Sequence, residues 1–249
     1  MATRLQSSSK TPATIDRSKL PRHVAVIMDG NGRWARKRAM PRIAGHRAGR
    51  HAVREVTRSC AELGIEALTL YTFSVENWKR PSYEVKALWS FLEEVLRSEF
   101  LELAENNIRL IATGDLRPIP EPARRALERA QLDLRENTGM ILNLAVSYGS
   151  RSEIVEAARG FARDVAEGKC RPEELDEKLF GQYLYAPELP DPDLLIRTSG
   201  EMRLSNFLLW QLAYAELYVT DTLWPDFGRD ELMAAIAAYQ RRDRRFGAV

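Results

Sequence analysis

The sequence predicts a single-domain α/β protein, in which a central sheet of six mainly parallel strands is wrapped by about seven helices. Short apolar runs alternate with longer segments of helical periodicity, and this is the order that βαβ units require. The strand candidates are apolar almost without interruption, as expected of strands that are covered on both faces. After residue 20 the chain has no internal repeat, linker or low-complexity segment, which favours one domain.

Six short runs rich in β-branched and aromatic residues are the strand candidates. The first two, HVAVIM and ALTLYTF, are the clearest. The predicted strands are residues 23–28, 67–73, 108–113, 140–146, 193–196 and 217–220. In open parallel sheets, ligands bind beyond the carboxyl ends of the strands, so the polar residues that follow these runs are the candidate site.

Helical periodicity fills the intervals between and after the strands. Gly64 stands where a left-handed glycine would end the first long helix. Ser150 and Glu153 have the spacing of an N-terminal capping box. The predicted helices are residues 46–63, 83–105, 121–136, 152–167, 173–184, 206–215 and 229–244.

The overall charge gives no reason to expect a nucleic acid as a partner, because the formal net charge is only +2. The basic residues are unequal in kind, with 30 Arg against 7 Lys. A GC-rich genome would produce this bias. Bidentate recognition of phosphate oxygens by guanidinium groups would also produce it. Only the positions of the arginines separate the two explanations.

Two isolated cysteines, Cys60 and Cys170, are too few for a disulfide framework and suggest a reducing cytoplasm. No apolar run is long enough for a membrane span, and residues 1–20 lack the apolar segment of a signal peptide. Residues 1–19 are rich in Ser, Thr, Lys and Arg, which predicts a disordered N-terminal tail. Residues 20–249 then form the folded domain.

The first candidate cluster follows the first strand, in the string DGNGRW from Asp29 to Trp34. Gly30 and Gly32 allow the backbone to approach an anion closely, and Asp29 offers a hard oxygen ligand for Mg²⁺. Arg33, Arg42 and His46 add basic groups, and His46 lies near the start of a long helix. A glycine turn with a solvated arginine would look similar, but three basic groups within 18 residues favour an anion site.

A second cluster follows the second strand and comprises Phe73, Ser74, Asn77, Trp78 and Arg80. Consecutive strands are usually neighbours, so this cluster is expected beside the first. A third cluster runs from Arg197 through Arg203 to Ser205. Arg197 ends a buried strand, where an unpaired charge is costly, and should have an anionic partner. Glu216, at the last strand, could join Asp29 around a metal.

The helix at 83–105 carries more apolar residues than one buried stripe needs. Packing against the sheet and a partner subunit is the simpler explanation. The alternative is that part of this apolar surface lines a channel for a long hydrocarbon.

In this order, the clusters resemble the cis-prenyltransferase family, and the bacterial undecaprenyl diphosphate synthases, or isoprenyl transferases, in particular. The resemblance extends from about Leu20 to the end of the chain. Its most specific stretch is DLLIRTSGEMRLSNFLLWQ, from Asp193 to Gln211. The strings HVAVIMDGNGRWA, GHRAG, YTFSVENWKRP, ELYVTDTLWPDF and RRFG resemble the remaining motifs.

This resemblance implies a role for each matching residue. Asp29 corresponds to a catalytic aspartate that holds Mg²⁺ on an allylic diphosphate, with Glu216 as a second metal ligand. Polar groups that aid proton removal correspond to Asn31, His46 and Ser74. The implied substrate-binding residues are Gly30, Asn31, Gly32, Arg33, Trp34, Arg42, His46, Phe73, Ser74, Asn77, Trp78, Arg80, Arg197, Arg203 and Ser205, and the last three correspond to the isopentenyl diphosphate site.

The resemblance also implies a homodimer, in which Arg245 and Gly247 reach towards the active site across the interface. It implies Mg²⁺ as cofactor, farnesyl diphosphate and isopentenyl diphosphate as substrates, and a long Z-polyprenyl product delivered to the membrane. The enzyme would then be cytoplasmic or peripheral at the membrane surface. Met202 is a departure, since many bacterial members have there a histidine that can approach the metal.

Other functional classes fit less well. A phosphatase of the haloacid dehalogenase type needs a second aspartate two residues from the first, and position 27 is Ile27. A trans-prenyltransferase would be all-helical with paired aspartates, and no Asp-Asp pair occurs. Non-catalytic subunits of heteromeric synthases tend to lose the Asp29 motif, which this chain keeps. A shorter-chain cis-prenyl diphosphate synthase remains an alternative.

Overall fold

The computed structural model describes residues 15–242 and has one six-stranded sheet. Every neighbouring pair of strands is parallel, in the order β3-β4-β2-β1-β5-β6. All six predicted strands are confirmed. They are β1 (His23–Ile27), β2 (Ala67–Ser74), β3 (Arg109–Thr113), β4 (Ile141–Tyr148), β5 (Leu194–Arg197) and β6 (Glu216–Val219).

Seven α-helices surround this sheet within residues 15–242. They are α1 (Asn31–Lys37), α2 (Arg42–Leu63), α3 (Ser82–Glu105), α4 (Glu121–Asp133), α5 (Ser150–Ala166), α6 (Glu177–Gly181) and α7 (Arg229–Gln240). Five predicted helices are confirmed with shifted ends. The helix predicted at 173–184 is instead a 3₁₀ turn, Pro172–Glu174, followed by the short α6.

The helix predicted at 206–215 does not form, and the segment is a series of turns. Ser205, Asn206 and Leu208 have positive φ angles of 52°, 60° and 46°, which a right-handed helix does not allow. Tertiary contacts hold them there, because Asn206 accepts the Ser150 N–H at its carbonyl and the Phe207 ring stacks on Tyr71 at 4.4 Å. Long-range packing outweighs the local periodicity here.

One helix was missed by the sequence analysis. The glycine-containing turn expected after β1 is short, because only Met28, Asp29 and Gly30 separate β1 from α1, which begins at Asn31. This helix lies very close to α2: a methyl group at Gly45 would be 2.0 Å from the Asn31 carbonyl oxygen. Only glycine permits so close an approach of the two helices.

The two sequence signals that predicted helix ends had different outcomes. Gly64 ends α2 in the left-handed conformation, with φ of 85°, as predicted. The capping box at Ser150 is wrong, because the N-cap is Gly149 and the Ser150 hydroxyl accepts the Leu209 N–H at 2.9 Å. Glu153 binds the Tyr148 hydroxyl and the Tyr185 N–H.

Apolar side chains fill both faces of the sheet. The larger cluster lies between the sheet and α2, α3, α4 and α7, and includes Leu68, Leu70, Leu110 and Ile236, all almost inaccessible to solvent. The smaller cluster, on the other face, is formed around Tyr148 and Phe207. Burial on both faces explains why the strands are continuously apolar.

The folded part begins earlier than residue 20. Residues 17–19 form a 3₁₀ turn, and the Gln240 side-chain amide donates to the carbonyl oxygens of Asp16 and Lys19, which joins this turn to the end of α7. The rest of the predicted tail, residues 1–14, lies outside the described residues, as do Arg245 and Gly247. Among residues 15–242, no helix is long and apolar enough to cross a membrane.

Candidate active site

Asp29 and Arg197 meet at the carboxyl edge of the sheet. β1 and β5 are adjacent, and Ile27 pairs with Arg197. Two residues later the Asp29 carboxylate accepts a hydrogen bond from Arg197 Nη2 at 3.1 Å and one from the Gly30 N–H at 2.7 Å. Arg33 Nη2 lies 3.4 Å from the same carboxylate. The buried charge of Arg197 therefore has the anionic partner that the sequence predicts.

The Asp29 carboxyl group is ionised at neutral pH. Burial by itself would raise its pKa, but hydrogen bonds from Arg197 and the Gly30 N–H, with the charges of Arg197 and Arg33, outweigh burial and lower the pKa below its usual value. The side chain is 31% exposed, so part of the carboxylate faces the open space above the sheet. It can therefore bind a further ligand.

The start of α1 places backbone hydrogen-bond donors beside Asp29. Gly30 has a φ of 108° and turns the chain directly into the helix, whose first N–H groups have no intrahelical acceptors. Arg33 lies in the first turn and is anchored by the Ser199 carbonyl and hydroxyl at 2.8 and 2.6 Å. Backbone donors and one cation thus surround a single small region.

Arg197 also holds the segment from Arg203 to Ser205 in place. Its guanidinium group donates to the Arg203 carbonyl and, at 2.7 Å, to the Ser205 hydroxyl. Arg203 projects outward, with its side chain 60% exposed, and pairs with Glu201. The structure therefore brings the three predicted residues together, with Arg203 the most accessible of them.

Arg42 and Arg80 lie near each other because both bind Glu84, in the first turn of α3. Glu84 Oε1 is 3.3 Å from Arg42 Nε and 3.1 Å from Arg80 Nη1. The Arg42 side chain also lies against Gly32, with Nε 3.2 Å from the position of a methyl group there. Arg42 at the start of α2 and Arg80 just before α3 therefore place two cations beside the start of α1.

The residues after β2 form a 3₁₀ turn. The Asn77 side chain accepts the Ser74 N–H at 3.3 Å, which holds the start of this turn. The Trp78 indole N–H donates to the Ser147 hydroxyl at 3.0 Å, and its ring packs against Phe73 and Trp89. Trp78 is thus partly a core aromatic.

An apolar cavity of about 180 Å³ opens beside these groups, between α2, α3 and β2. At one end it is polar, with Asn31, His46, Asn77 and Arg80 in its wall. Asn31 Oδ1 and His46 Nε2 are buried there and have no hydrogen-bond partner among the described residues. Most of the remaining wall is apolar: Met28, Val53, Leu70, Phe73, Leu88, Trp89, Phe91, Leu92, Val95, Leu144 and Trp224, with Gly49, Arg50, Tyr71 and Thr72 between them.

A second, narrower cavity of about 60 Å³ continues along α3. It shares Val53, Val95 and Leu144 with the first cavity, so these residues form a waist between the two. Leu103, Ile108, Leu110 and Leu142 line its far end. The broad apolar surface of α3 therefore has two uses, since one part packs in the core and another lines a cavity.

His23 and His46 make the stability of the protein depend on pH. Burial is the main cause that lowers the pKa of each to about 4, and the charges of Arg80 and Arg42 add to it for His46. The unfolded chain takes up protons below about pH 6.5, but the folded protein does so only near pH 4. The contribution of these two histidines to the free energy of unfolding should therefore be complete above pH 6.5 and should fall as the pH drops towards 4.

For His46 this loss amounts to about 2 kcal/mol between pH 7 and 4.5. Urea unfolding of His46→Gln at both pH values should give a smaller difference than the wild type by that amount. His51→Gln, on the exposed side of the same helix, is the matched control. An identical pH difference in the wild type and His46→Gln would contradict the assignment.

Glu216 and Asp29 lie apart within one chain, and their pairing around a metal stays a prediction. Glu216 begins β6 and aligns through Leu194 with Val24, five residues before Asp29. At ~3.3 Å per residue the two are roughly 16 Å apart along the sheet. Glu216 instead forms an ion pair with Arg242. The reason is that Glu216 precedes its strand, whereas Asp29 follows one.

Trp34 lies on the outer side of α1. Its indole N–H donates to Asp226 at 2.7 Å, and the Arg38 guanidinium lies 3.9 Å from the ring centroid. Trp34 is not part of the wall of either cavity. Met202 is 87% exposed and offers no counterpart of the family histidine.

Sequence reasoning missed two residues that organise the site. Glu84 holds Arg42 and Arg80 together, and its spacing of four from Arg80 was the available signal. The Tyr71 hydroxyl lies 3.2 and 3.3 Å from the carbonyl oxygens of Ser205 and Tyr148, which share its one hydrogen, and so joins β2 to the Arg203–Ser205 segment. No local pattern distinguishes Tyr71 from any other strand aromatic.

The donor set suits one kind of metal. Among residues 15–242 no group of three or more His, Cys, Asp or Glu side chains could hold an ion. Asp29, an ionised and partly exposed hard ligand, fits Mg²⁺, which is usually held by one or two carboxylates together with phosphate oxygens of the substrate. Zinc, which takes several nitrogen or sulfur ligands, does not fit.

Comparison with known proteins assigns this architecture to a family. The Prenyltransf family model, which represents undecaprenyl diphosphate synthases, matches residues 27–247. An isoprenyl transferase of Heliobacterium mobile is 54% identical over 235 residues, covering 94% of this chain and 90% of the relative. Its counterpart in Bacillus subtilis (strain 168) is 51% identical over 239 residues, covering 96% and 92%.

Solved structures agree with the sequence relatives. Lavandulyl diphosphate synthase from Lavandula x intermedia, in complex with dimethylallyl diphosphate, superposes with a TM-score of 0.91 at 41% identity, covering 92% of this chain and 99% of that one. A probable undecaprenyl diphosphate synthase from Campylobacter jejuni gives 0.76 at 35% identity, covering 91% and 98%. The chain belongs to the prenyltransferase family of the undecaprenyl diphosphate synthases.

Proposed function

We propose that this prenyltransferase is a Mg²⁺-dependent cis-prenyltransferase that condenses isopentenyl diphosphate onto farnesyl diphosphate. Its product would be undecaprenyl diphosphate, the precursor of the lipid carrier of bacterial cell-wall synthesis. One observation carries the proposal: Asp29 and Arg197 meet at one edge of the sheet, close to the polar end of an apolar cavity. This arrangement suits substrates with a diphosphate at one end and a hydrocarbon at the other.

The allylic diphosphate would bind at the start of α1. Arg33, Arg42 and Arg80 supply charge there, and the first-turn N–H groups supply donors. The isopentenyl diphosphate would bind on the other side of Asp29, at Arg203, Ser205 and Arg197. The complex of lavandulyl diphosphate synthase with dimethylallyl diphosphate supports an allylic diphosphate as one ligand.

The chemistry then depends on positioning and on stabilising the leaving group. The bond between the allylic carbon and its diphosphate breaks, the double bond of isopentenyl diphosphate attacks that carbon, and loss of a proton forms a new cis double bond. Arg33 and the α1 amides stabilise the departing diphosphate. Arg203 and Ser205 orient the attacking substrate. When bound, Mg²⁺ would neutralise charge on the diphosphate, and Asp29 would be its protein ligand.

The proton would be lost close to Asn31 and His46. Both have an unpartnered buried polar atom in the cavity wall, and burial keeps His46 neutral, so its ring offers an acceptor nitrogen there. Ser74 follows Phe73 of the cavity wall in the chain but does not itself line the cavity. Its part in proton removal would therefore be indirect.

The two joined cavities are the proposed path of the growing chain. Each added five-carbon unit would otherwise expose apolar surface that costs ~4 kcal/mol, at ~0.8 kcal/mol per methylene-sized carbon. A path that starts at the polar end and continues past Val95 to Leu103 keeps the growing chain away from water. A continuing path favours a long product over a short one.

Filling the waist of this path should shorten the product. Val95→Phe adds volume where the two cavities join, so chain growth should stop at least one isoprene unit earlier, as seen by chromatography of the products. Val155→Phe, at a residue 49% exposed on α5, is the control. An unchanged chain-length distribution in Val95→Phe would show that the product does not pass this point.

We also propose a homodimer formed through the β6 edge of the sheet. β6 is an edge strand with apolar side chains that are partly exposed, namely Leu217 at 47% and Val219 at 36%. Unpaired edges of this kind are usually covered by another chain or element. Sedimentation should give the mass of two chains.

A cytoplasmic location is proposed from the two free cysteines, Cys60 and Cys170.

The decisive experiment is incubation of the purified protein with farnesyl diphosphate, isopentenyl diphosphate and Mg²⁺, followed by chromatography of the products. Long Z-polyprenyl diphosphates that disappear with a chelator would support the proposal. Products of only one or two added units would identify a shorter-chain synthase. The absence of any product would point to a non-catalytic subunit of a heteromeric enzyme.

A further inference from the structure

The distribution of charge along the chain is strongly uneven near the site. From Gly30 to Arg54 there are eight Lys and Arg residues and no Asp or Glu, although the whole chain has a net charge of only +2. These residues form α1, the turn after it and the first half of α2. A local excess of this size creates a positive surface potential that attracts groups of opposite charge.

Part of the excess is neutralised within the protein. Arg33 forms an ion pair with Asp29, Arg38 with Asp226 and Arg42 with Glu84. Arg50 and Arg54 both form ion pairs with Glu99. The other three cations, Arg36, Lys37 and Arg47, are exposed, and no carboxylate of residues 15–242 lies within ion-pair distance of them. Arg36 and Lys37 stand at the turn between α1 and α2.

This turn, residues 36–42, has an apolar apex. The Ala39 and Met40 N–H groups donate back to Arg36 and Ala35, and Ala39 has a φ of 53°, which reverses the chain sharply. All seven residues are exposed, and Met40 is 48% exposed. An apolar side chain among cations is the arrangement by which peripheral segments bind anionic membranes, with the apolar group entering the boundary of the acyl region.

The turn also borders the candidate active site. Arg42, at its end, lies against Gly32 and pairs with Glu84, close to Arg80 in the cavity wall. We propose that the turn 36–42 docks this enzyme on an anionic lipid surface, with Arg36 and Lys37 at the phosphate headgroups and Met40 in the acyl boundary. The benefit to the enzyme rests on the proposed function, since a long polyprenyl product leaving the cavity would then be close to a bilayer.

Flotation of the full-length protein with vesicles tests the docking without substrate. The wild type should bind vesicles of phosphatidylglycerol and phosphatidylcholine and not vesicles of phosphatidylcholine alone. At about 1 kcal/mol for each basic residue near an anionic surface, Arg36→Gln/Lys37→Gln should lower the partition coefficient about 30-fold. Met40→Ser should lower it several-fold.

The matched control for the loss of two positive charges is Arg125→Gln/Arg129→Gln, which removes two arginines of α4 whose side chains are 74% and 73% exposed. It should leave vesicle binding unchanged. Equal losses in both double variants, or no binding by the wild type, would overturn the proposal. So would an unchanged partition of Arg36→Gln/Lys37→Gln with a lower kcat/KM for soluble diphosphates, since the cations would then serve the substrate.

The outcomes for docking and for the proposed function are distinguishable. Condensation of soluble substrates is measured without vesicles, and vesicle binding is measured without substrates. Failure to form product with intact vesicle binding would reject only the proposed function. Product formation without vesicle binding would reject only the docking surface.

Discussion

Replacing Asp29 with alanine is expected to lower the rate of condensation by at least ~10²-fold, the scale of losing a key stabilising group in a transition state. The carboxylate is the one acidic group of the described residues that binds Arg197, Arg33 and the Gly30 N–H together. It is also the proposed ligand of Mg²⁺. Steady-state kinetics with farnesyl and isopentenyl diphosphates at saturating Mg²⁺ would measure the loss.

Two further variants separate chemistry from folding. Asp29→Asn keeps the shape and removes the charge, so it should lose a similar factor in kcat. Asp115→Asn removes a carboxylate at the same edge of the sheet, where Asp115 follows β3 and pairs with Arg117 away from both cavities, and it should keep nearly wild-type activity. Near-wild-type kinetics in both Asp29 variants would remove this residue from its assigned role.

Arg197→Ala is expected to have the second-largest effect. A lost charge-assisted contact costs ~1.5–3 kcal/mol, or about 10-fold to 10²-fold in kcat/KM, mainly through a higher KM for isopentenyl diphosphate. The structure adds a consequence for stability. Arg197 also holds Asp29 and the Arg203–Ser205 segment, and its side chain is only 6% exposed, so the melting temperature should fall as well.

Arg203→Ala is the comparison for this second prediction. Arg203 lies in the same segment but is 60% exposed and pairs only with Glu201 in the described part of the chain. It should raise the KM for isopentenyl diphosphate and leave the melting temperature unchanged. If Arg197→Ala changed only the melting temperature, Arg197 would be a structural residue and the diphosphate would bind elsewhere.

Both predictions depend on a geometry that the sequence allowed but did not require. The residues after β1 and after β5 were expected to face each other because both follow parallel strands. β1 and β5 are far apart in sequence, however, and their adjacency follows from the strand order, which no local pattern contains. The contact between Arg197 and Asp29 confirms the expectation.

Local chemistry was enough for the strands and for most helices. Continuous apolar runs identify β1, β2, β4 and β5 because burial on both faces leaves little freedom in residue type. Gly64 was recognised as a helix end because few other residues accept its φ of 85°. The polar residues at the strand ends were recognised for a similar reason, since charge beside a buried strand needs a partner.

Tertiary structure decided what periodicity could not. The turns at 205–208 replace a predicted helix because Asn206 and Phe207 are held by contacts from other parts of the chain. Glu216 is separated from Asp29 because the two lie at opposite ends of parallel strands. The two cavities along α3 exist because the spacing between α2, α3 and the sheet leaves room there. By itself the sequence determined which residues are apolar and which carry charge, since these are properties of single side chains. Burial and the distances between remote residues were decided only when the chain packed.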